Sequence, residues 1–171
     1  MNLVLIGYRG TGKTAVARIA GERLGMDVFA MDARIVERAG MSIPRIVEEF
    51  GWDRFRDLES EVCAEVAGRD GLVLDTGGGV ILRPENVERL REGGYVVWLT
   101  ASVPTIIERI GGDDQRPSLT GGRSFTDEVA EVLAQREPLY RDAAMHAVVT
   151  DGKTVDRVAS EVVAAFGLAA G

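Results

Sequence analysis

Eight residues near the amino terminus, Gly7-Tyr8-Arg9-Gly10-Thr11-Gly12-Lys13-Thr14, constrain this chain more than any other segment. They match the pattern G-x4-G-K-[ST], whose glycines let backbone N–H groups turn inward and form a concave nest for phosphate oxygens. An apolar run at 3–6 precedes the segment. After it, Val16, Ile19, Ala20 and Leu24 recur at helical spacing. A buried strand is therefore expected to end at Gly7, and a helix to open at Lys13 with its free N–H groups facing the same anion. With 21 glycines, 2 lysines and 15 serines plus threonines in 171 residues, chance produces the pattern in roughly three such chains per thousand. The segment reads as a P-loop. Lys13 is then expected to reach the β- and γ-phosphates of a nucleoside triphosphate, and the Thr14 hydroxyl to hold Mg2+.

The remainder of the chain fits an α/β fold around such a loop. Short apolar runs at 28–31, 72–74, 95–99 and 147–150 alternate with longer helical patterns, the signature of βα units on a parallel sheet. Helices are expected over 13–24, 33–39, 43–50, 54–67, 84–91, 103–110, 127–136 and 155–166. Ser42 and Pro44 mark one helix start, and Gly25 marks a helix end. The alternation lapses between 111 and 124, where four glycines accompany Asp113, Asp114, Arg116 and Arg123 without periodic apolar residues. A loop that long in a compact domain is usually functional or disordered. No internal repeat or linker is visible, so residues 1–171 read as a single domain.

Composition narrows the partners. The formal net charge of −7 argues against a nucleic-acid surface but not against a local cluster of cations for an anionic ligand. One cysteine, Cys63, and one histidine, His146, leave neither an intramolecular disulfide nor a His/Cys metal site. No apolar run approaches the roughly 18 residues of a membrane span, and no secretory leader pattern is visible at Met1. The expectation is a cytoplasmic chain, monomeric, without membrane or nucleic-acid partners. Trp52, Trp98 and His146 carry no motif and read as packing residues.

Several further motifs follow the P-loop: Asp32 after the second apolar run, Phe55-Arg56-Asp57-Leu58-Glu59 on a helix, Gly77-Gly78-Gly79 after the third run, Arg116-Pro117, and Arg136-Glu137-Pro138-Leu139-Tyr140. In this order and at these spacings the chain resembles the shikimate kinase family over nearly its whole length. The resemblance implies a nucleoside-monophosphate-kinase-like P-loop fold, a three-layer α/β/α sandwich on a five-stranded parallel sheet. A substrate-binding helical insertion would lie around 33–60 and a lid around 111–124. It implies ATP-dependent phosphorylation of shikimate to shikimate 3-phosphate, a step toward the aromatic amino acids, with Mg2+ accompanying ATP. Gly10, Thr11, Gly12, Lys13, Thr14 and Ala15 would contact ATP, with Arg109 against adenine and Arg116 arriving from the lid. Asp32, Arg56, Gly78, Gly79 and Arg136 would bind shikimate, and Lys13, Asp32 and Arg116 would act in catalysis. The chemistry suits these residue types. Guanidinium forks pair bidentately with a carboxylate, glycines admit close approach, and Glu59 at i+3 could fix Arg56.

Blander roles remain open for most of them. Asp32 could N-cap a helix from Ala33, Arg56 could be a solvated helix residue, and the glycines could form a bare turn. Arg136-Glu137-Pro138 could be a helix terminus, and Arg109 a surface residue. The chain also departs from the family pattern. The family carries Asp-x-Asp where this chain has Ala30-Met31-Asp32, and Trp52 follows Gly51 where the family has Glu. Asp75 ends an apolar strand in the manner of a Walker-B acid and is a possible metal-side carboxylate. A kinase of another polyol or acid such as gluconate is the alternative, as is a catalytically weak ATP-binding homologue.

Overall fold

The computed structural model describes residues 1–111 and 124–171. Among them five parallel strands form one sheet in the order β2-β3-β1-β4-β5: β1 Asn2–Ile6, β2 Asp27–Ala30, β3 Leu72–Asp75, β4 Gly94–Thr100 and β5 His146–Val149. The helices are α1 Lys13–Leu24, α2 Met31–Ala39, α3 Ile43–Val66, α4 Pro84–Gly93, α5 Val103–Ile110, α6 Phe125–Ala143 and α7 Val155–Ala170. A 3-10 turn, Val80–Leu82, follows β3. Central strands of a parallel sheet are covered on both faces, so their sequences are apolar throughout rather than alternating. All five residues of β1 are buried, as are Leu72, Val73 and Leu74 of β3.

Alternate side chains of each strand divide the core into two layers, because successive residues point to opposite faces. Leu3, Leu5, Val73, Val97, Leu99 and Val148 pack with Val16, Ala17 and Ala20 of α1 and Val158, Val162 and Phe166 of α7. Val4, Ile6, Leu74, Val96 and Trp98 face the other way, onto Ile35 of α2, Val62 and Val66 of α3, Leu90 of α4 and Tyr140 of α6. Each of the fully buried valine, leucine and isoleucine side chains among these stabilises the fold by roughly 1.5–3 kcal/mol. The result is the parallel sheet expected from the alternating sequence, within the three-layer sandwich that the resemblance to the shikimate kinase family implied. No described helix is long and apolar enough to cross a membrane. Cys63 lies in the second layer, where burial pushes its thiol up to about 12 and leaves it chemically inert.

Several boundaries differ from expectation for local reasons. The two helices expected over 43–50 and 54–67 are both present within the span Ile43–Val66, on either side of a non-helical break at Gly51 (φ 84°, ψ 170°), where glycine is at ease. The break redirects the chain so that Trp52, Phe55 and Arg56 face the sheet's carboxyl edge. Helix α6 runs past Pro138 to Ala143, well beyond the expected end at 136. The ring removes one backbone hydrogen bond, but burial of Tyr140 and Ala143 beyond it favours continuation. Asp32 lies inside the first turn of α2, whose N-cap is Ala30, so it does not cap the helix. His146, expected to pack, is exposed on the edge strand β5. Ion pairs from Arg34 to Glu65 (3.0 Å) and from Arg38 to Glu65 (2.7 Å) and Glu61 (3.2 Å) hold α2 against the second half of α3.

One polar lock fastens α5 to the end of β5. Asp151 accepts from Ser102 N at 3.0 Å, Ser102 Oγ at 2.6 Å and Thr105 Oγ1 at 2.7 Å. These hydroxyls, Ser102 foremost, lower its carboxyl to about 2 from an ordinary 3.8. A depressed carboxylate adds stability above the unfolded value and loses it as pH falls through the folded one. Asp151→Ala should therefore cost about 1.5 kcal/mol at pH 7 in urea melts. The difference from the parent should shrink as pH drops from about 3.8 toward 2.

Candidate active site

The loops that follow β1, β2 and β3 meet at the carboxyl edge of the sheet, where parallel α/β folds place their ligands. Gly7 leaves β1 at φ 146°, and Gly10 and Gly12 adopt φ 80° and 90°. Gly12 precedes the first residue of α1 without any side-chain cap, so the helix's free N–H groups open into the cleft. Lys13 is buried, with Nζ held 2.8 Å from Gly7 O and 3.1 Å from Tyr8 O. Those bonds fold the ammonium over the loop. Gly10, Gly12, Lys13, Thr14 and Ala15 line one cleft together with Ala30, Asp32 and Asp75. Thr11 is buried beneath it, its hydroxyl donating to Tyr8 O at 2.8 Å.

Such a nest of N–H groups, with a lysine and a hydroxyl at the helix start, fits a polyphosphate tail and its cation. Thr14 Oγ1 donates to Asp75 Oδ2 at 2.7 Å, placing two hard oxygen ligands side by side, the donor type Mg2+ selects. Arg109 reaches back from α5 to Gly10 O (3.2 Å), Thr150 Oγ1 (3.0 Å) and Thr150 O (3.3 Å). It thereby bridges the phosphate loop and the end of β5 rather than lying loose on the surface.

Beside this cleft a second pocket is walled by Ile43, Trp52, Phe55 and Gly77–Gly79, with Arg9, Arg56, Glu59 and Arg136 as its charged groups. Arg56 donates to Glu59 Oε2 at 2.9 Å, the i,i+3 contact expected from the sequence. Its guanidinium also lies 5.3 Å from the Trp52 ring centre and 5.1 Å from that of Phe55. These contacts hold the fork flat. A Cβ on Gly79 would fall 2.3 Å from that guanidinium, so a side chain there would displace the Arg56 fork from its present position. Arg136 is buried, 3.7 Å from where a Gly78 Cβ would stand. Tyr140 fixes the glycine run by donating from its hydroxyl to Gly78 O. Asp32 joins the two spaces: it lines the phosphate cleft, yet its Oδ1 is 3.1 Å from the Cβ position of Gly77 in the second pocket.

Burial shapes the charges here. It raises the Glu59 carboxyl above the ordinary range, against the lowering pull of Arg56. Glu59 Oε1 has no hydrogen-bond partner among the described residues. Burial likewise raises the Tyr8 phenol, and pushes that of Tyr140 up to about 12, so both remain neutral donors.

The structure thus brings Lys13, Thr14, Asp32, Arg56, Gly78, Gly79, Asp75 and Arg136 to two adjoining spaces. Arg116 and most of the expected lid lie outside the described residues. Sequence reasoning missed Arg9 and Trp52. Arg9 sits at a free position of the P-loop pattern, lines both spaces, faces Glu128 at 3.9 Å and lies 5.8 Å from the Phe125 ring centre. Trp52, read as packing, is a wall of the pocket and a platform for Arg56. An arginine inside the P-loop was the available signal for the first. Nothing local announced the second, whose placement depends on the break at Gly51.

A family model for shikimate kinase matches residues 9–166. A shikimate kinase from Nitratidesulfovibrio vulgaris is 45% identical over 150 residues, covering 86% of this chain and 85% of the relative. One from Geobacter sulfurreducens is 43% identical over 161 residues, covering 94% and 88%. Among solved structures, shikimate kinase from Acinetobacter baumannii in complex with shikimate superposes with a TM-score of 0.93 at 33% identity, covering 98% of this chain and 93% of that one. Sequence, fold and pocket agree, and the chain belongs to the shikimate kinase family.

Proposed function

We propose that this chain transfers the γ-phosphoryl group of ATP to the 3-hydroxyl of shikimate, giving shikimate 3-phosphate and ADP. The observation that carries this is local. In a chain of net charge −7, three guanidinium groups, from Arg9, Arg56 and Arg136, gather around one aromatic-walled pocket that opens onto a phosphate loop. Among the described residues the carboxylate lining that pocket with them is Glu59, whose burial disfavours its charge. The pocket is therefore cationic and suits a small anion with an apolar ring face. Shikimate, a carboxylate-bearing triol, has that chemistry.

The residue roles follow from position. Arg56 and Arg136 grip the carboxylate, since planar forks bind it bidentately and lose little freedom when already packed. Backbone N–H groups of Gly78 and Gly79 approach the ring where no Cβ intervenes. Asp32, at the junction of the two spaces, accepts a hydrogen bond from the reacting hydroxyl and takes its proton as the new O–P bond forms and the bond to ADP breaks. Lys13 and the loop N–H groups stabilise the phosphates, which is the main demand of phosphoryl transfer. Bound Mg2+, held by Thr14, would neutralise charge between the β- and γ-phosphates. Arg109 supports the adenine end, and Arg116 adds positive charge at the transferring group. A soluble monomer in the cytoplasm suits a reaction between small molecules.

Three measurements test this. ADP release should depend on shikimate and be absent with gluconate; equal release with both, or none with shikimate, would remove the assignment. Arg136→Ala should raise KM for shikimate about 100-fold, an expected loss of about 3 kcal/mol for a buried charge contact, with ATP affinity nearly unchanged. A collapse of ATP affinity with KM for shikimate intact would show the role to be wrong. Asp32→Asn should lower kcat by about 10²–10⁴ while shikimate still binds, as measured by equilibrium fluorescence titration.

A further inference from the structure

Two carboxylates border the phosphate cleft, and the fold gives them different neighbours. Asp32 stands beside Gly77 and the acceptor pocket. Asp75, the last residue of β3, accepts a hydrogen bond from Thr14 Oγ1 at 2.7 Å across 61 residues of sequence. The contact exists because β3 lies next to β1 in parallel register, with Leu5 opposite Asp75, so the end of β3 meets the helix that begins after the P-loop. On the other side of Asp75 the register places Ala30, the last residue of β2, whose exposed methyl group lines the same cleft. The end of β2 thus offers no charge where the end of β3 does.

The direction of the Thr14 bond matters. By donating its proton to Asp75, the hydroxyl keeps its lone pairs for a cation. A carboxylate directly behind it supplies the negative charge that a hard divalent ion prefers. Among the described residues no group of three or more His, Cys, Asp or Glu is placed to hold a metal alone. Thr14 and Asp75 would leave most of the ion's positions to phosphate oxygens and water, the way Mg2+ is commonly bound.

Resting on the nucleotide-binding reading above, we infer that Asp75 is the metal-side carboxylate of this enzyme. It holds with Thr14 the divalent cation that accompanies the nucleotide, and β3 carries the charge that Ala30 does not provide on the neighbouring strand. Asp32 is left to the acceptor hydroxyl. Among the described residues Asp75 lines the phosphate cleft and not the acceptor pocket, so the contribution inferred for it is to the cation and not to shikimate.

Mn2+ serves as the probe, titrated into the full chain loaded with ADP while the free-ion electron paramagnetic resonance signal is followed. Asp75→Asn keeps an acceptor for Thr14 and removes only the charge. It should weaken Mn2+ binding about 10–100-fold, the usual loss for such a supporting carboxylate. ADP affinity in EDTA should stay at the parent value. Mn2+ affinity equal to the parent would overturn the inference. So would an equal loss of ADP affinity in EDTA, which would mean that Asp75 only braces the loop. Adding Ala30→Asp to Asp75→Asn should recover part of the lost Mn2+ binding, because Ala30 is exposed to the cleft and an aspartate is favoured at that N-cap. Absence of any recovery would refute the exchange between strands. These outcomes are independent of the acceptor: the proposed activity is tested separately, by whether shikimate, and not gluconate, stimulates ADP release by the parent.

Discussion

The active cleft depends on a short extension of the β1–β3 ladder past the end of the strands. Thr76 donates to Leu5 O from both its backbone N (3.4 Å) and its hydroxyl (2.8 Å). These two bonds press the glycine run against the P-loop, so that a Cβ on Gly78 would stand only 3.4 Å from Arg9 N and 3.5 Å from Gly7 O. A Cβ there would already be in van der Waals contact with the P-loop backbone, so the two segments are closely packed. Phosphate loop and acceptor pocket consequently adjoin, with Arg9 lining both. Proximity of this kind is what a transfer reaction needs most from its protein.

Electrostatics then sort the arginines. Arg18, Arg45, Arg141 and Arg157 pair with glutamates four residues along the same helix, the surface arrangement that contributes little to stability. Arg34 and Arg38 tie α2 to α3. Arg56 and Arg136 are buried or nearly so and surround a space, and Arg9 joins them from the loop. Removing those cations from water is costly unless charge comes to meet them. Glu59 does so for Arg56 at the cost of a raised carboxyl, and an anionic acceptor completes the balance. The overall negative charge of the chain says nothing of this, because it sums over surfaces that the ligand never sees.

The division of labour between acids also has a geometric origin. Asp75 ends β3 and Asp32 lies two residues beyond β2, yet β3 is adjacent to β1 and β2 is one strand farther out. The acid on β3 therefore meets Thr14 at the start of α1, whereas the acid beyond β2, carried one residue into α2, faces the glycine run. Strand order, rather than residue type, sets which carboxylate meets Thr14 and which faces the glycine run.

Much of this was legible in the residues alone. The glycine spacing of the P-loop, the apolar strands and the helical periods specify local conformation, and local conformation obeys short-range sterics and hydrogen bonding that one segment carries by itself. The order of the later motifs pointed to the shikimate kinase family and to Arg56, Arg136 and the glycines. Other features required the folded chain. That Trp52 lines a pocket depends on a backbone reversal at Gly51, that α6 continues through Pro138 depends on the burial beyond it, and that His146 is exposed depends on β5 being an edge. The pairing of Thr14 with Asp75, and the place of Asp32 between two spaces, arise from strand register across dozens of residues. Such contacts are fixed by how elements pack, and a sequence pattern with a reach of a few residues carries no record of them.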